Sequence, residues 1–202
     1  MKLANPVSWP PNGDWDRRLT AVACPDLAPV TTVHENEWFA VRNRGGYFTT
    51  EFQQRHVVVL PVVEDSEIVM IRVPRPVIGD TTLELPAGAI EANETAVAGA
   101  AREFTEETGI AVSDPGRLKP MPPVSASPDR IPSLVYVFRI ALSREEFARR
   151  KPHDKEVESV HCIPFEEVVR LILEGGIYVA VPVGVIASYL LTRLPHSPLR
   201  AG

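Results

Sequence analysis

The chain is short of cysteine, of net positive charge and of long apolar runs, and each shortage removes a class of protein. Two cysteines, Cys24 and Cys162, make neither a disulfide framework nor a cysteine-based zinc site. Both read as small buried residues. With 21 Lys+Arg against 26 Asp+Glu, a net charge of −5 and a pI near 5.6, the basic footprint of a nucleic-acid or anionic-membrane binder is missing. A polyanionic substrate would need local help, such as a metal. The longest mostly apolar stretch, 177–191, is broken by Pro182 and Gly184 and falls short of the roughly 20 residues that span a bilayer. Pro6, Pro10 and Pro11 interrupt the N-terminus before a signal-peptide run can form, so a cytoplasmic protein is expected. His34, His56, His153, His161 and His196 are scattered without metal-ligand spacing and read as strand or surface residues. Gly45-Gly46 and Gly175-Gly176 lack the strand, lysine and helix of a phosphate loop, and read as turns.

What is present suits one main globular domain with a small appendage: 202 residues, 45% hydrophobic and 23% charged. Residues 1–18 are rich in Pro, Asn, Asp and Trp without periodicity, as in a surface arm. Short β-type runs at 30–34, 38–41 and 47–50, separated by turn residues, predict a three-strand meander. Trp38, Tyr47 and Phe48 within it read as core more readily than as base-stacking residues. The nearly continuous Val, Ile and Leu of 56–63 and 67–73, around a polar corner at 64–66, predict a hairpin buried on both faces. A helix is expected over 94–108, stopped by Gly109. Residues 113–132 hold six prolines and read as mostly extended loop, long enough to be functional. Beyond lie an expected strand at 134–142, a solvated turn or short helix at 144–156, a strand at 157–163 and helices at 164–174 and 178–194.

The helix over 94–108 carries the chemistry. At about 100° per residue, Glu106 and Glu107 fall at about −60° and +40° from Glu103, so three carboxylates share one narrow face. Val97, Ala101, Phe104 and Thr108 form the neighbouring stripe, expected to be buried, with the carboxylates looking outward at its edge. Like charges at these spacings repel, and only Arg102 stands beside them within the helix. Ala96, Gly99 and Ala100 leave the acidic sector clear of bulk. An all-oxygen donor set with open positions suits Mg²⁺ or Mn²⁺, which bridge carboxylates to substrate phosphates. A solvated acidic face is the plainer alternative for three glutamates taken alone.

They do not stand alone. Gly88, five residues, Glu94, seven residues, then Arg102-Glu103-Phe104-Thr105-Glu106-Glu107-Thr108-Gly109-Ile110 resembles the signature of the Nudix hydrolases, Gly-x5-Glu-x7-Arg-Glu-U-x-Glu-Glu-x-Gly-U, where U is bulky and apolar. Seven fixed positions agree by chance about once in 10⁸ placements, and Phe104 is the one soft departure. The resemblance implies an α/β fold, a Nudix α/β/α sandwich with a mixed sheet, preceded by a small antiparallel strand subdomain. Residues 1–54 would form the arm and strand subdomain, and 55–202 the hydrolase domain. It also implies that Glu103, Glu106 and Glu107 hold Mg²⁺ or Mn²⁺ with help from the carbonyl of Ala87 or Gly88. Glu94 and Arg102 would tie the loop to the helix, and Gly88 and Gly109 would be structural.

Leu83-Glu84-Leu85-Pro86-Ala87-Gly88, the preceding Arg75-Pro76 and the N-terminal meander look like the ADP-ribose pyrophosphatase branch. That branch hydrolyses ADP-ribose or related nucleoside diphosphate sugars, giving AMP and ribose 5-phosphate from ADP-ribose. A proline common there about sixteen residues past the box glycine is replaced by Ser125, with Ser127-Pro128 as the nearest equivalent. In that branch a late-loop glutamate helps activate water. Glu156 and Glu158 lie in the corresponding region, and Glu156 is favoured; alternation along a strand lets at most one face the site. Arg75, Glu84 and Arg55 are candidate substrate contacts, arginine because its fork suits phosphate oxygens. The resemblance further implies a homodimer built by the strand subdomain, with a small-molecule substrate and neither nucleic acid nor membrane as partner. The alternatives are the same chemistry on a GDP-sugar or dinucleoside polyphosphate, and a non-catalytic ligand sensor.

Overall fold

The computed structural model describes Leu27 and residues 29–151 and 154–194. The arm expected at 1–18, Cys24, His153 and His196 lie outside these residues. The strands are β1 (Val30–Glu35), β2 (Phe39–Arg44), β3 (Tyr47–Phe52), β4 (His56–Val63), β5 (Glu67–Arg75), β6 (Asp80–Glu84), β7 (Ala87–Ala89), β8 (Lys119–Val124), β9 (Val135–Leu142) and β10 (Ser159–Pro164). The helices are α1 (Ala96–Thr108), α2 (Arg144–Ala148), α3 (Phe165–Leu173) and α4 (Ala180–Leu191), with a single 3-10 turn at Pro115–Arg117. No helix among the described residues is long and apolar enough to cross a membrane.

β1, β2 and β3 form a separate antiparallel sheet in that order. The main sheet is mixed, running β10-β5-β4-β9-β8, with β4 and β9 parallel and the other pairs antiparallel. Alternation along β4 sorts the core into two layers. Val57, Val59 and Val63 pack with Phe104, Phe138 and Ile140 under α1, while Val58, Leu60 and Val62 pack with Val168, Val185 and Ile186 under α3 and α4. Burial of both faces explains why these strands read as unbroken apolar runs. The result is the α/β/α layering and mixed sheet expected from the sequence.

Several expectations are corrected. β4 and β5 do not form a full hairpin: they pair only at Val62↔Ile68 and Val63↔Glu67, next to a turn in which Glu64 and Asp65 take positive φ. Above that point they splay, because β4 takes β9 and β7 as partners while β5 takes β6 and β10. Part of the expected extended loop at 113–132 is strand, since β8 pairs with β9 despite Pro120, Pro122 and Pro123. β8 is an edge strand, where missing N–H groups cost no ladder bond, and its register shifts between Met121 and Val124. Arg130, later in the same segment, accepts from Thr50 N at 2.7 Å and donates to Phe48 O at 3.2 Å, so this stretch clasps β3. Trp38, Tyr47 and Phe48 are not core: they are 66%, 55% and 49% exposed, although Ala40, Arg44 and Thr49 of the same sheet are buried.

Candidate active site

The site begins where β4 and β5 part. Residues 80–89 run through that fork as one stretch that changes partner, pairing with β5 as β6 and then, after Leu85 and Pro86, with β4 as β7. Pro86 O accepts from Val59 N at 2.8 Å at the crossover. This opens a cleft of about 400 Å³, lined by His56, Val58, Arg75, Glu84, Leu85, Ala87, Gly88, Val135, Val179, Val181 and Pro182, among others.

α1 lies against β7. It starts at Ala96, not at Glu94, because Thr95 takes the N-cap position and its hydroxyl accepts from Ala98 N at 3.2 Å. It ends at Gly109, whose φ of +71° makes the left-handed cap, and a Cβ there would strike the Lys151 carbonyl oxygen at 1.8 Å. Glu94 stays in the preceding loop and joins Arg102, which donates to both its oxygens at 3.1 and 3.0 Å. Arg102 also donates to Ala89 O at 2.8 Å. These bonds hold Glu94 below the usual carboxylate range, chiefly through the Arg102 hydrogen bonds, and strap the 89–94 loop to the helix.

Ala96, Gly99 and Ala100 do not clear an open acidic face. They are buried: Ala96 and Ala100 join the core layer between helix and sheet, and a Cβ on Gly99 would come within 3.1 Å of Glu94 Oε2 and 3.5 Å of Ile90, so glycine there lets the loop close on the helix. The three carboxylates also differ from one another. Glu106 is exposed, Glu103 is half-buried, and Glu107 is turned in and buried, accepting from Ala87 N at 2.7 Å. Burial pushes the Glu107 carboxyl up to about 8, with the Ala87 hydrogen bond opposing and the charges of Glu103 and Asp154 adding. Burial raises Glu103 too, against the pull of Arg102. Glu103 lies so close to β7 that a Cβ at position 88 would force its carboxyl group to shift.

Among the described residues no group of three or more His, Cys, Asp and Glu side chains converges on one point suited to a metal ion. Arg102 explains the difference from expectation, since its Nη1 takes both Glu103 Oε1 at 2.9 Å and Glu106 Oε2 at 3.1 Å. The donor set still fits a hard divalent cation. Two desolvated carboxylates, one partnered by a single backbone N–H, stand beside a third that is exposed, and a cation relieves the cost of keeping them charged.

Arg75 and Glu84 meet as a two-bond pair, Nε to Oε1 at 2.8 Å and Nη2 to Oε2 at 3.0 Å, at the rim of the cleft. Thr82 Oγ1 donates to Glu84 Oε1 at 2.5 Å from the same face of β6. The Glu84 hydrogen bond raises the Arg75 pKa, and the charges of Glu107 and Glu156 add to the effect. Arg55 stands outside the cleft lining, donating to Tyr136 OH at 2.6 Å with its guanidinium 5.6 Å from that ring's centre.

Glu156 is exposed on a loop tied to the end of α1, where Lys151 N donates to Gly109 O at 2.8 Å and Asp154 N to Glu106 O at 2.9 Å. Asp154 Oδ1 accepts from Glu156 N at 3.0 Å and Val157 N at 3.3 Å, shaping the loop. Glu158 lies elsewhere, 3.9 Å from Arg72. Thr82, His56 and Asp154 were missed from sequence. Thr82 was accessible by strand alternation from Glu84, and Asp154 by the preference of aspartate for accepting from backbone N–H groups two and three residues on.

A NUDIX domain model matches residues 52–180. Among curated relatives, Phosphatase NudJ of Escherichia coli (strain K12) and of Shigella boydii serotype 4 (strain Sb227) are each 33% identical over 115 residues, covering 57% of this chain and 72% of theirs. Among solved structures, a crystal structure of an ADP compounds hydrolase aligns with a TM-score of 0.61 and 19% identity, over 81% of this chain and 92% of that one.

Proposed function

The chain belongs to the Nudix family and is a hydrolase of pyrophosphate bonds, and from that premise we propose that it cleaves the diphosphate of ADP-ribose or a related nucleoside diphosphate sugar. ADP-ribose would give AMP and ribose 5-phosphate. The observation that carries the proposal is the buried carboxylate of Glu107, held by Ala87 N on β7 and within electrostatic reach of Glu103 and Arg75.

Glu103, Glu106 and Glu107 would hold Mg²⁺ or Mn²⁺, with a carbonyl of Ala87 or Gly88 adding an oxygen. Such a cation, when bound, neutralises the diphosphate and acidifies a water. Glu84 and Thr82 fix Arg75 so that Nε and Nη2 are spent on Glu84, leaving Nη1 for a phosphate oxygen. Glu156, whose loop is anchored to the helix end, takes the proton of the attacking water. Residues 1–54 would serve as a dimer-forming subdomain. A cytoplasmic location and a small-molecule substrate, without nucleic acid or membrane, complete the proposal.

A second reading comes from the relatives named as phosphatases, which would place the cleaved bond at the end of a nucleotide's phosphate chain. Product analysis after incubation with Mg²⁺ and ADP-ribose, a GDP-sugar, a dinucleoside polyphosphate and a nucleoside triphosphate separates the readings. AMP and ribose 5-phosphate support the first, and release of inorganic phosphate from the triphosphate alone supports the second. Tight binding with no turnover of any substrate would mean a ligand sensor and contradict both.

A further inference from the structure

The loop between α2 and β10 is fixed to the rest of the fold at two points. At the first, Lys151 N donates to Gly109 O at 2.8 Å and Asp154 N to Glu106 O at 2.9 Å, covering carbonyls at the end of α1 that no helical N–H reaches. At the second, Val157 is buried against Ile71 and Val73 of β5, and Glu158 N donates to Arg72 O at 2.8 Å. Between the residue at the helix end, Asp154, and the buried Val157 lie only Lys155 and Glu156.

The Glu156 carboxylate makes no hydrogen bond or salt bridge of its own among the described residues, so its direction is set by the backbone that carries it. Asp154 governs that backbone. Its Oδ1 accepts from both Glu156 N at 3.0 Å and Val157 N at 3.3 Å, which closes the short span into a turn. The charges fit a loop held at the site: Glu156 acts on Arg75 and Asp154 on Glu107.

Resting on the reading of Glu156 as the group that takes the proton of the attacking water, we propose that Asp154 is a positioning residue, which holds the 154–157 turn and thereby places the Glu156 carboxylate for the reaction. Because the turn is docked on the end of α1, the base keeps a constant position relative to the helix that carries Glu103, Glu106 and Glu107. Asp154 then works as a hydrogen-bond acceptor. An asparagine, whose amide oxygen accepts the same two bonds without the charge, can replace it, whereas no asparagine could stand in for a proton acceptor.

Substitutions in the full chain test this. Asp154→Ala is expected to lower kcat by about 10- to 100-fold with KM unchanged, the scale of a small misplacement near the chemistry. Asp154→Asn recovers most of that loss. In a Glu156→Gln background Asp154→Ala costs no more than about twofold further, because no base is left to place. Amide exchange of the metal-free protein gives a readout without turnover: Glu156 and Val157 N–H exchange at least about tenfold faster in Asp154→Ala and near the unaltered rate in Asp154→Asn. Equal loss of kcat in the alanine and asparagine variants, full additivity with Glu156→Gln, or unchanged exchange in Asp154→Ala overturns the proposal. The expected pattern found with a substrate other than a nucleoside diphosphate sugar would contradict the functional reading and leave the role of Asp154 standing.

Discussion

Glu103 occupies the space that a side chain at Gly88 would need: a Cβ on Gly88 falls 2.1 Å from the Glu103 carboxyl carbon and 2.2 and 2.3 Å from its oxygens. The strand that forms the cleft floor and the helix that carries the acids are thus fitted against each other at one carboxylate. Gly88→Ala is expected to displace Glu103 and lower turnover by about 10²-fold, the scale of a 1 Å misplacement near the chemistry. Steady-state kinetics with circular dichroism checks this. Full activity in a folded alanine variant would mean that Glu103 has no exacting position.

Glu107 gives a stability prediction with a definite sign. Its carboxyl is raised from 4.5 to about 8, so the folded chain binds that proton more tightly than the unfolded chain does. The resulting stabilisation is complete below about pH 4.5 and is lost as pH rises through about 8. Metal-free protein should therefore lose about 2–4 kcal/mol from this group between pH 5 and 9, and Glu107→Gln should lack that loss. Urea denaturation across the range measures it. A divalent cation replaces the proton, so Mg²⁺ affinity should rise with pH up to about 8.

Arg102 binds five groups at once: Ala89 O, both Glu94 oxygens, Glu103 and Glu106. Lysine offers a point charge and cannot fork between loop and helix. Arg102→Lys is expected to lower unfolding free energy by about 1–3 kcal/mol, read from the denaturation midpoint. An unchanged midpoint would remove the pair with Glu94 from the account of the loop.

Trp38, Tyr47 and Phe48, exposed among the described residues on and beside the three-strand sheet, are where the proposed homodimer contact is tested. Sedimentation velocity should give a dimer for the unaltered chain and a monomer for the double variant Trp38→Ser, Phe48→Ser. A monomer in both cases would contradict the dimer.

The burial of β4 on both faces was legible in its unbroken apolar run and the acidic helix in its periodicity, while the α/β/α layering followed from the family resemblance. The spacing from Gly88 to Gly109 marked helix and loop together. The fork was not legible, because the parting of β4 from β5 depends on β9, more than seventy residues on, supplying a parallel partner to β4. The inward turn of Glu107 was hidden for a related reason. Helical periodicity places it beside Glu103, but only the Ala87 N–H on β7 draws it into the protein. Gly99 is covered by Glu94 of the closing loop, which no periodicity encodes, while Ala96 and Ala100 are buried in the core layer under α1. Strand propensity in Trp38, Tyr47 and Phe48 was real, but propensity does not say whether a second layer exists to cover them.

The decisive measurement is anomalous diffraction from crystals soaked in Mn²⁺. A manganese peak bounded by carboxylate oxygens of Glu103, Glu106 and Glu107, with Arg102 withdrawn from Glu103 and Glu106, is the expected result. No peak at these residues, with Arg102 still bound to both glutamates at saturating Mn²⁺, would contradict the claim that this helix holds a divalent cation.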